Sequence, residues 1–290
     1  MNNPDFFQYK LPARIYRRFL ILTDACEGSR AAPGSLLIKV HSGGEGIPFF
    51  WCGTPDTWPS FCEQLGRDRS MYCLCGTYGV LPPTNENILA LSKYYAAEII
   101  KIQPNGPYLL GGFCEAGLIS LEIANIMQAH GYQVGMLVLF DVDVRPPDFW
   151  LSLALKLFKA GENVRERRDQ FAEHPVQCIK EILANKWHQL VELPIRYIID
   201  VINKCLKNSG VDEQPLAPLY ELPPYPGKID LIYVKWGVLG YYQFKFFQRY
   251  WNKLALGGTD FNIIAGNVHN MPNWSAVAKI VQEIIKKLGV

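Results

Sequence analysis

Short, almost wholly apolar blocks alternate with longer stretches in which apolar residues recur at helical spacing. Leu36-Leu37-Ile38-Lys39-Val40 and Ile47-Pro48-Phe49-Phe50-Trp51-Cys52 read as strands, and Ser42-Gly43-Gly44-Glu45-Gly46 between them reads as the turn of a hairpin. A helix over 59–65 leads to a strand over 70–75. Between 87 and 103, Ile88, Leu91, Tyr95, Ile99 and Ile102 fall close to one helical face. Pro104-Asn105-Gly106-Pro107 ends that helix, and Tyr108-Leu109-Leu110 opens the next strand. Leu118 to Ala129 is helical, and Val134 to Phe140 is a buried strand ending in Asp141. Two more strands are predicted over 228–234 and 260–264, with a closing helix over 275–288. Apolar strands alternating with helices predict an α/β fold, a mostly parallel central sheet covered by helices on both faces. In such a sheet chemistry gathers at the carboxyl ends of the strands. The loops that begin at Gly53, Gly76, Phe113 and Asp141 are therefore the places to seek a site.

Two regions break the alternation. Residues 145–215 read as successive amphipathic helices over 149–158, 177–187 and 193–206, and the pattern predicts an inserted helical lid. A proline-rich return, Pro215 to Pro226, leads back to the core. Residues 1–34 form an N-terminal arm in which a short basic, aromatic helix is predicted after Pro12, as a linker, a packing arm, a docking surface for a partner protein or a membrane-surface contact. The expected organisation is an arm over 1–34, a core over 35–144 and 216–290, and a lid over 145–215.

Composition narrows the function classes. The chain has 290 residues, 49% hydrophobic and 19% charged, with a formal net charge of +2. So small an excess of positive charge does not argue for nucleic acid as a partner. No run of about 18 uncharged apolar residues appears, so no membrane span is expected. The first residues lack the charged start and apolar run of a signal peptide. Eight cysteines are scattered without a C-x-x-C pair, which points to a reduced, cytoplasmic protein. Cys73 and Cys75 read as core residues on one face of a strand rather than as metal ligands, and no metal site is expected. Asn273-Trp274-Ser275 matches a glycosylation sequon by chance in a chain with no export signal.

The stretch that concentrates chemistry is Gly111-Gly112-Phe113-Cys114-Glu115-Ala116-Gly117, between a strand and a helix. That is the context of a nucleophile elbow, whose turn brings strand and helix backbones close and needs small flanking residues. Gly112, Ala116 and Gly117 supply them. A nucleophilic thiol needs a base within hydrogen-bond reach, and the base needs an orienting carboxylate. In α/β-hydrolases the chain order is nucleophile, acid, histidine. Cys114, Asp141 and His269 stand in that order, each at the end of a predicted strand. Asp143 is the alternative acid. Of the other histidines, His41 lies in the early hairpin, His130 at a helix end, and His174 and His188 in the lid. The backbone N–H of Glu115 and one from the Gly53-Thr54 loop would form an oxyanion hole, with Thr54 preferred because Pro55 has no N–H. The Glu115 carboxylate is expected to point away from the oxyanion, towards the lid or an incoming amine, or simply into solvent.

These residues carry a resemblance. Gly106-Pro107-Tyr108-Leu109-Leu110-Gly111-Gly112-Phe113-Cys114 resembles the elbow of the terminal (type I) thioesterase domains of nonribosomal peptide and polyketide synthases, usually G-P-Y-x-L-G-G-W-S-x-G-G. Ser35 to Phe50 is similar to that family's opening hairpin, Pro224 to Ile229 to its return from lid to core, and Ala265-Gly266-Asn267-Val268-His269 to its G-x-H loop. The resemblance covers about residues 35–288. Three features depart from it: cysteine replaces the usual serine, Ala116 replaces the elbow's second glycine, and Gly53-Thr54-Pro55-Asp56 replaces an H-P-x-G-G-like oxyanion loop.

The resemblance implies an α/β-hydrolase fold and acyl transfer through a Cys-His-Asp site. The acyl or peptidyl chain would arrive as a thioester on the phosphopantetheine of a carrier protein, with no other cofactor. Release would follow by aminolysis, cyclisation or hydrolysis, with an amine or an intramolecular nucleophile as second substrate. Gly53, Tyr78, Phe113, Phe149 and Trp150 are the residues expected to line the substrate. Two other readings fit the same residues: a free-standing editing thioesterase or small-ester hydrolase, and a non-catalytic acyl-binding docking module.

Overall fold

The computed structural model describes residues 9–41, 43–142, 222–234, 241–265 and 273–289, with the backbone alone for 241–246. All of these belong to one unit, Met1–Val144 with Pro218–Val290. The expected lid, the alternative acid Asp143, and the residues Phe149, Trp150 and His269 lie outside the described residues.

Eight strands form one sheet: β1 (Ser29–Arg30), β2 (Ile38–His41), β3 (Gly46–Gly53), β4 (Arg69–Cys75), β5 (Tyr108–Phe113), β6 (Val134–Phe140), β7 (Ile229–Val234) and β8 (Thr259–Ile264). Their order is β1-β2-β4-β3-β5-β6-β7-β8. From β4 to β8 every neighbouring pair is parallel, while β1 and β2 form an antiparallel edge. With its helical crossovers this is an α/β-hydrolase fold, as expected. One local expectation is corrected. β2 and β3 do not make a hairpin, because β4 lies between them and pairs with both. The glycine-rich turn before β3 therefore carries the chain past β4 rather than back along β2.

The described helices are α1 (Ala13–Asp24), α2 (Trp58–Leu65), α3 (Asn85–Ile102), α4 (Ala116–Ala129), α5 (Tyr241–Leu254) and α6 (Trp274–Leu288). Their ends follow local chemistry. Thr84 caps α3 by accepting from the Asn87 N–H at 3.3 Å. Asn273 Oδ1 caps α6 by accepting from the Ala276 N–H at 3.1 Å. The sequon asparagine thus has a structural task at a helix start.

The sheet is buried on both faces. α2 packs with α6, and Gln282 on α6 donates to the Leu65 carbonyl at 2.8 Å. α3 packs with α4, and Ser92 on α3 donates to the Ile119 carbonyl at 3.3 Å. α5 is fixed by Trp251, whose indole N–H donates to the Tyr233 hydroxyl at 2.8 Å. That hydroxyl donates in turn to the Val142 carbonyl at 3.0 Å, close to the end of β6. The N-terminal helix α1 buries Phe19 and Thr23, and Tyr16 meets Tyr94 of α3 edge-on.

Candidate active site

Register brings the two central strand ends together. Phe113 pairs with Phe140, the last residues of β5 and β6. The next residues are Cys114 and Asp141. The Cys114 N–H donates to the Phe140 carbonyl at 2.9 Å, and the Asp141 N–H to the Ile232 carbonyl at 2.8 Å, so each ladder runs one step past its strand. Among the described residues Cys114 and Asp141 are also the two non-glycine residues in the left-handed backbone region, at φ 53° and 49°. That region disfavours a Cβ and costs of order 1–3 kcal/mol per residue unless the surroundings enforce it. Such outliers gather at working sites.

Close packing enforces the turn. A Cβ on Gly112 would lie 2.7 Å from Gly117 Cα and 2.7 Å from Ser120 Oγ. On Gly117 it would meet Val142 Cγ2 at 2.4 Å. Strand β5 and helix α4 can therefore approach only with glycine at 112, while Gly117 lets α4 lie against Val142 after β6. Ser120 locks them with a 2.7 Å hydrogen bond to the Gly111 carbonyl. Cys114 is exposed at the mouth of this turn, whereas Asp141 is 6% exposed.

The expected oxyanion donors sit on either side of it. Glu115 stands at the N-terminal end of α4, where the positive end of the helix dipole lies, without a side-chain capping hydrogen bond. Gly53 ends β3, which pairs with β5 through Cys52 and Gly112, so the loop after it is beside the elbow. Thr54 is half-buried, and its carbonyl accepts from the Thr57 N–H at 3.0 Å and the Thr57 hydroxyl at 2.8 Å. Tyr78 is at the tip of the loop after β4, and Phe113 is half-buried.

Three participants carried no legible sequence signal. Thr77, on the loop after β4, is buried and donates its hydroxyl to Glu115 Oε1. The Glu115 carboxylate is thus held by a buried hydroxyl of the core, and the residue is half-buried rather than fully solvated. Phe140 stacks on Phe113 with ring centroids 5.1 Å apart. Trp274 stands edge-on to both, at 5.3 Å from Phe113 and 5.5 Å from Phe140, and also touches Phe61 at 5.6 Å. An aromatic layer therefore lies directly behind the Cys114 and Asp141 strand ends.

The other described thiols contrast with Cys114. Burial, and secondly the Glu115 charge, push the Cys52 thiol up. Burial raises Cys73, which also lies 3.9 Å from Cys62. A hydrogen bond to Cys26, then burial, raises Cys75; the same hydrogen bond lowers Cys26, which is half-exposed. Thiolate reacts and thiol does not. Iodoacetamide at neutral pH should therefore alkylate Cys114 and Cys26 in the native protein, and Cys52, Cys62, Cys73 and Cys75 only after denaturation. Peptide mapping reads this directly, and an unmodified Cys114 would contradict its exposed position.

Residues 59–149 match the Thioesterase domain family, a stretch that includes Cys114 and Asp141 but less than half of the chain. Polyketide synthase PksR of Bacillus subtilis (strain 168) is 29% identical over 113 residues, 38% of this chain and 4% of that protein. Thioesterase pytI of Aspergillus terreus is 34% identical over 133 residues, 40% of this chain and 41% of that protein. The chain thus spans a small fraction of the synthase and under half of the thioesterase. Among solved structures, the NocB thioesterase domain aligns with 83% of this chain and 96% of its own length, at 19% identity and a TM-score of 0.49. In part of its length the chain is thus similar to the Thioesterase domain family and to stretches of polyketide and nonribosomal peptide synthases.

Proposed function

We propose that this protein is a thioesterase-type acyltransferase that takes an acyl or peptidyl chain from a carrier-protein thioester onto Cys114 and releases it by aminolysis, cyclisation or hydrolysis. The observation that carries the reading is the pairing of an exposed, left-handed Cys114 with a buried, left-handed Asp141 on adjacent strand ends. The similarity to thioesterase domains supports it.

In the proposed reaction His269 takes the Cys114 thiol proton, with Asp141 orienting the imidazole. The thiolate attacks the thioester carbonyl carbon, and the carbonyl π electrons move to oxygen. The backbone N–H groups of Glu115 and Thr54 receive that oxyanion. Collapse expels the pantetheine sulfur, which leaves with the proton held by His269. An amine or water then attacks the Cys114 thioester, passes a proton to His269, and regenerates the thiol as the acyl group departs. Gly53, Tyr78 and Phe113 would border the substrate, with Phe149 and Trp150 contributed from the lid. Phosphopantetheine enters with the substrate, and the chain is proposed to need no cofactor of its own. The held Glu115 suits this scheme. Anchored by Thr77, its carboxylate is kept from swinging freely.

The cysteine points to the kind of release. Transfer from one thioester to another is nearly neutral in energy, so the acyl group keeps its activation. Such an intermediate suits amines and ring closure better than an oxygen ester does. Incubation of the enzyme with octanoyl-pantetheine and a panel of primary amines should yield amides beside octanoic acid, read by mass spectrometry. Octanoic acid as sole product with every amine would restrict the function to hydrolysis; no turnover at all would remove the acyl-transfer reading.

A further inference from the structure

Helix α1 presents two faces of different character. Tyr16, Phe19, Leu20 and Thr23 recur at helical spacing on the face packed against the core. The Tyr16 hydroxyl donates to the Gly34 carbonyl at 2.5 Å, and Arg30 donates to the Leu20 carbonyl at 3.0 Å. The helix is thus firmly seated. Its other stripe is Arg14, Arg17, Arg18 and Ile21, at the same spacing, and every one of them is exposed. Ile21 is 73% exposed. Among the described residues Arg14 and Arg17 form no salt bridge, and the one acid of the helix, Asp24, is held by Arg30 at 2.6 Å. Like charges three and four residues apart destabilise a helix, so the stripe costs the isolated fold something.

The stripe also has a direction. Arg18 donates to the Val80 carbonyl at 3.1 Å. It therefore runs onto the loop after β4, where Tyr78 is 76% exposed. The neighbour of Tyr78 is Thr77, which holds Glu115, the neighbour of Cys114. Three cations and two large exposed side chains thus form one surface leading to the rim of the proposed site.

Resting on the acyl-transfer reading above, we infer that this surface docks the protein that presents the acyl thioester, through an acidic, amphipathic face of that partner. Its carboxylates would meet Arg14, Arg17 and Arg18, and an apolar side chain would cover Ile21. The charge complementarity is local: net charge is only +2 for the whole chain, so the attraction comes from this stripe and not from a general basicity. Rim charges of this kind chiefly steer and orient a partner, and their effect fades with salt.

The test compares one acyl group in two settings: octanoyl on the phosphopantetheine of an acidic acyl carrier protein, and octanoyl on pantetheine alone. Arg14→Glu/Arg17→Glu should lower the ratio of kcat/KM for carrier over pantetheine about tenfold, mainly through KM. Ile21→Asp, which leaves the arginines in place, should lower the same ratio. The double arginine variant should unfold no lower than wild type, since it relieves that repulsion, and Ile21→Asp close to wild type, since its side chain is exposed. Fluorescence anisotropy of the labelled carrier against the Cys114→Ala protein gives a readout independent of turnover, and binding should weaken with rising salt and with charge reversal. An unchanged ratio and unchanged anisotropy would overturn the docking surface. So would reversal-sensitive binding to anionic phosphatidylserine vesicles with no carrier binding. Failure of wild type to turn over either thioester would overturn the acyl-transfer reading instead, with anisotropy still deciding the docking surface.

Discussion

Cys114→Ala is expected to lose the covalent acyl-enzyme seen by intact mass spectrometry after mixing with octanoyl-pantetheine, and to lower kcat/KM by about 10⁴-fold. The size follows from the role. A nucleophile that acts with a base and an orienting acid works as part of a unit, so its removal costs almost the whole covalent pathway. Oxyanion donors and substrate binding remain, which leaves a residual rate above that in water. The structure makes alanine a clean probe. The side chain is exposed, so no cavity opens, and Gly112, Gly117 and Ser120 hold the turn around it. Folding stability should therefore change little. An adduct of undiminished mass and rate in the variant would move the nucleophile away from Cys114.

Trp274→Ala is expected to cost about 3–5 kcal/mol of stability, the range for deleting a large buried aromatic side chain. Trp274 is 6% exposed and touches Phe61, Phe113 and Phe140 at once. Through Phe61 the layer reaches Trp51, with ring centroids 4.2 Å apart. Truncation would therefore leave a cavity shared by α2, α6 and the ends of β5 and β6. Denaturant unfolding should show a lower midpoint at an unchanged slope. Activity should fall further than the folded fraction does, because the lost ring backs the residues just before Cys114 and Asp141. A specific activity per folded molecule equal to wild type would limit Trp274 to stability alone.

Much of the fold was legible because its strands are buried on both sides and read as apolar blocks. Ile47–Cys52 and Val134–Phe140 are examples, lying close to the observed Gly46–Gly53 and Val134–Phe140. The placement of β4 between β2 and β3 was not legible: turn residues are local, whereas strand order depends on which strand, met later, fits between them. Helix Tyr241–Leu254 was missed for another reason. Its aromatic density suits strands as well as helices, and among its described side chains Phe247, Trp251 and Leu254 mark the buried stripe. At the candidate site, the elbow showed in the small residues that its turn requires. Thr77 did not, because its bond to Glu115 spans 38 positions and depends on two loops meeting across the end of β3.

The left-handed backbone at Cys114 also acts as a filter on chemistry. A residue there must carry its reactive atom on an unbranched Cβ, since a β-branched side chain at positive φ is a steric outlier. Serine and cysteine pass this filter; threonine does not. Among hydroxyl and thiol nucleophiles, an exchange at position 114 is thus confined to serine and cysteine, a swap of one atom in an unchanged turn. Whether the bound acyl group is an oxygen ester or a thioester can then change without rebuilding the scaffold around it.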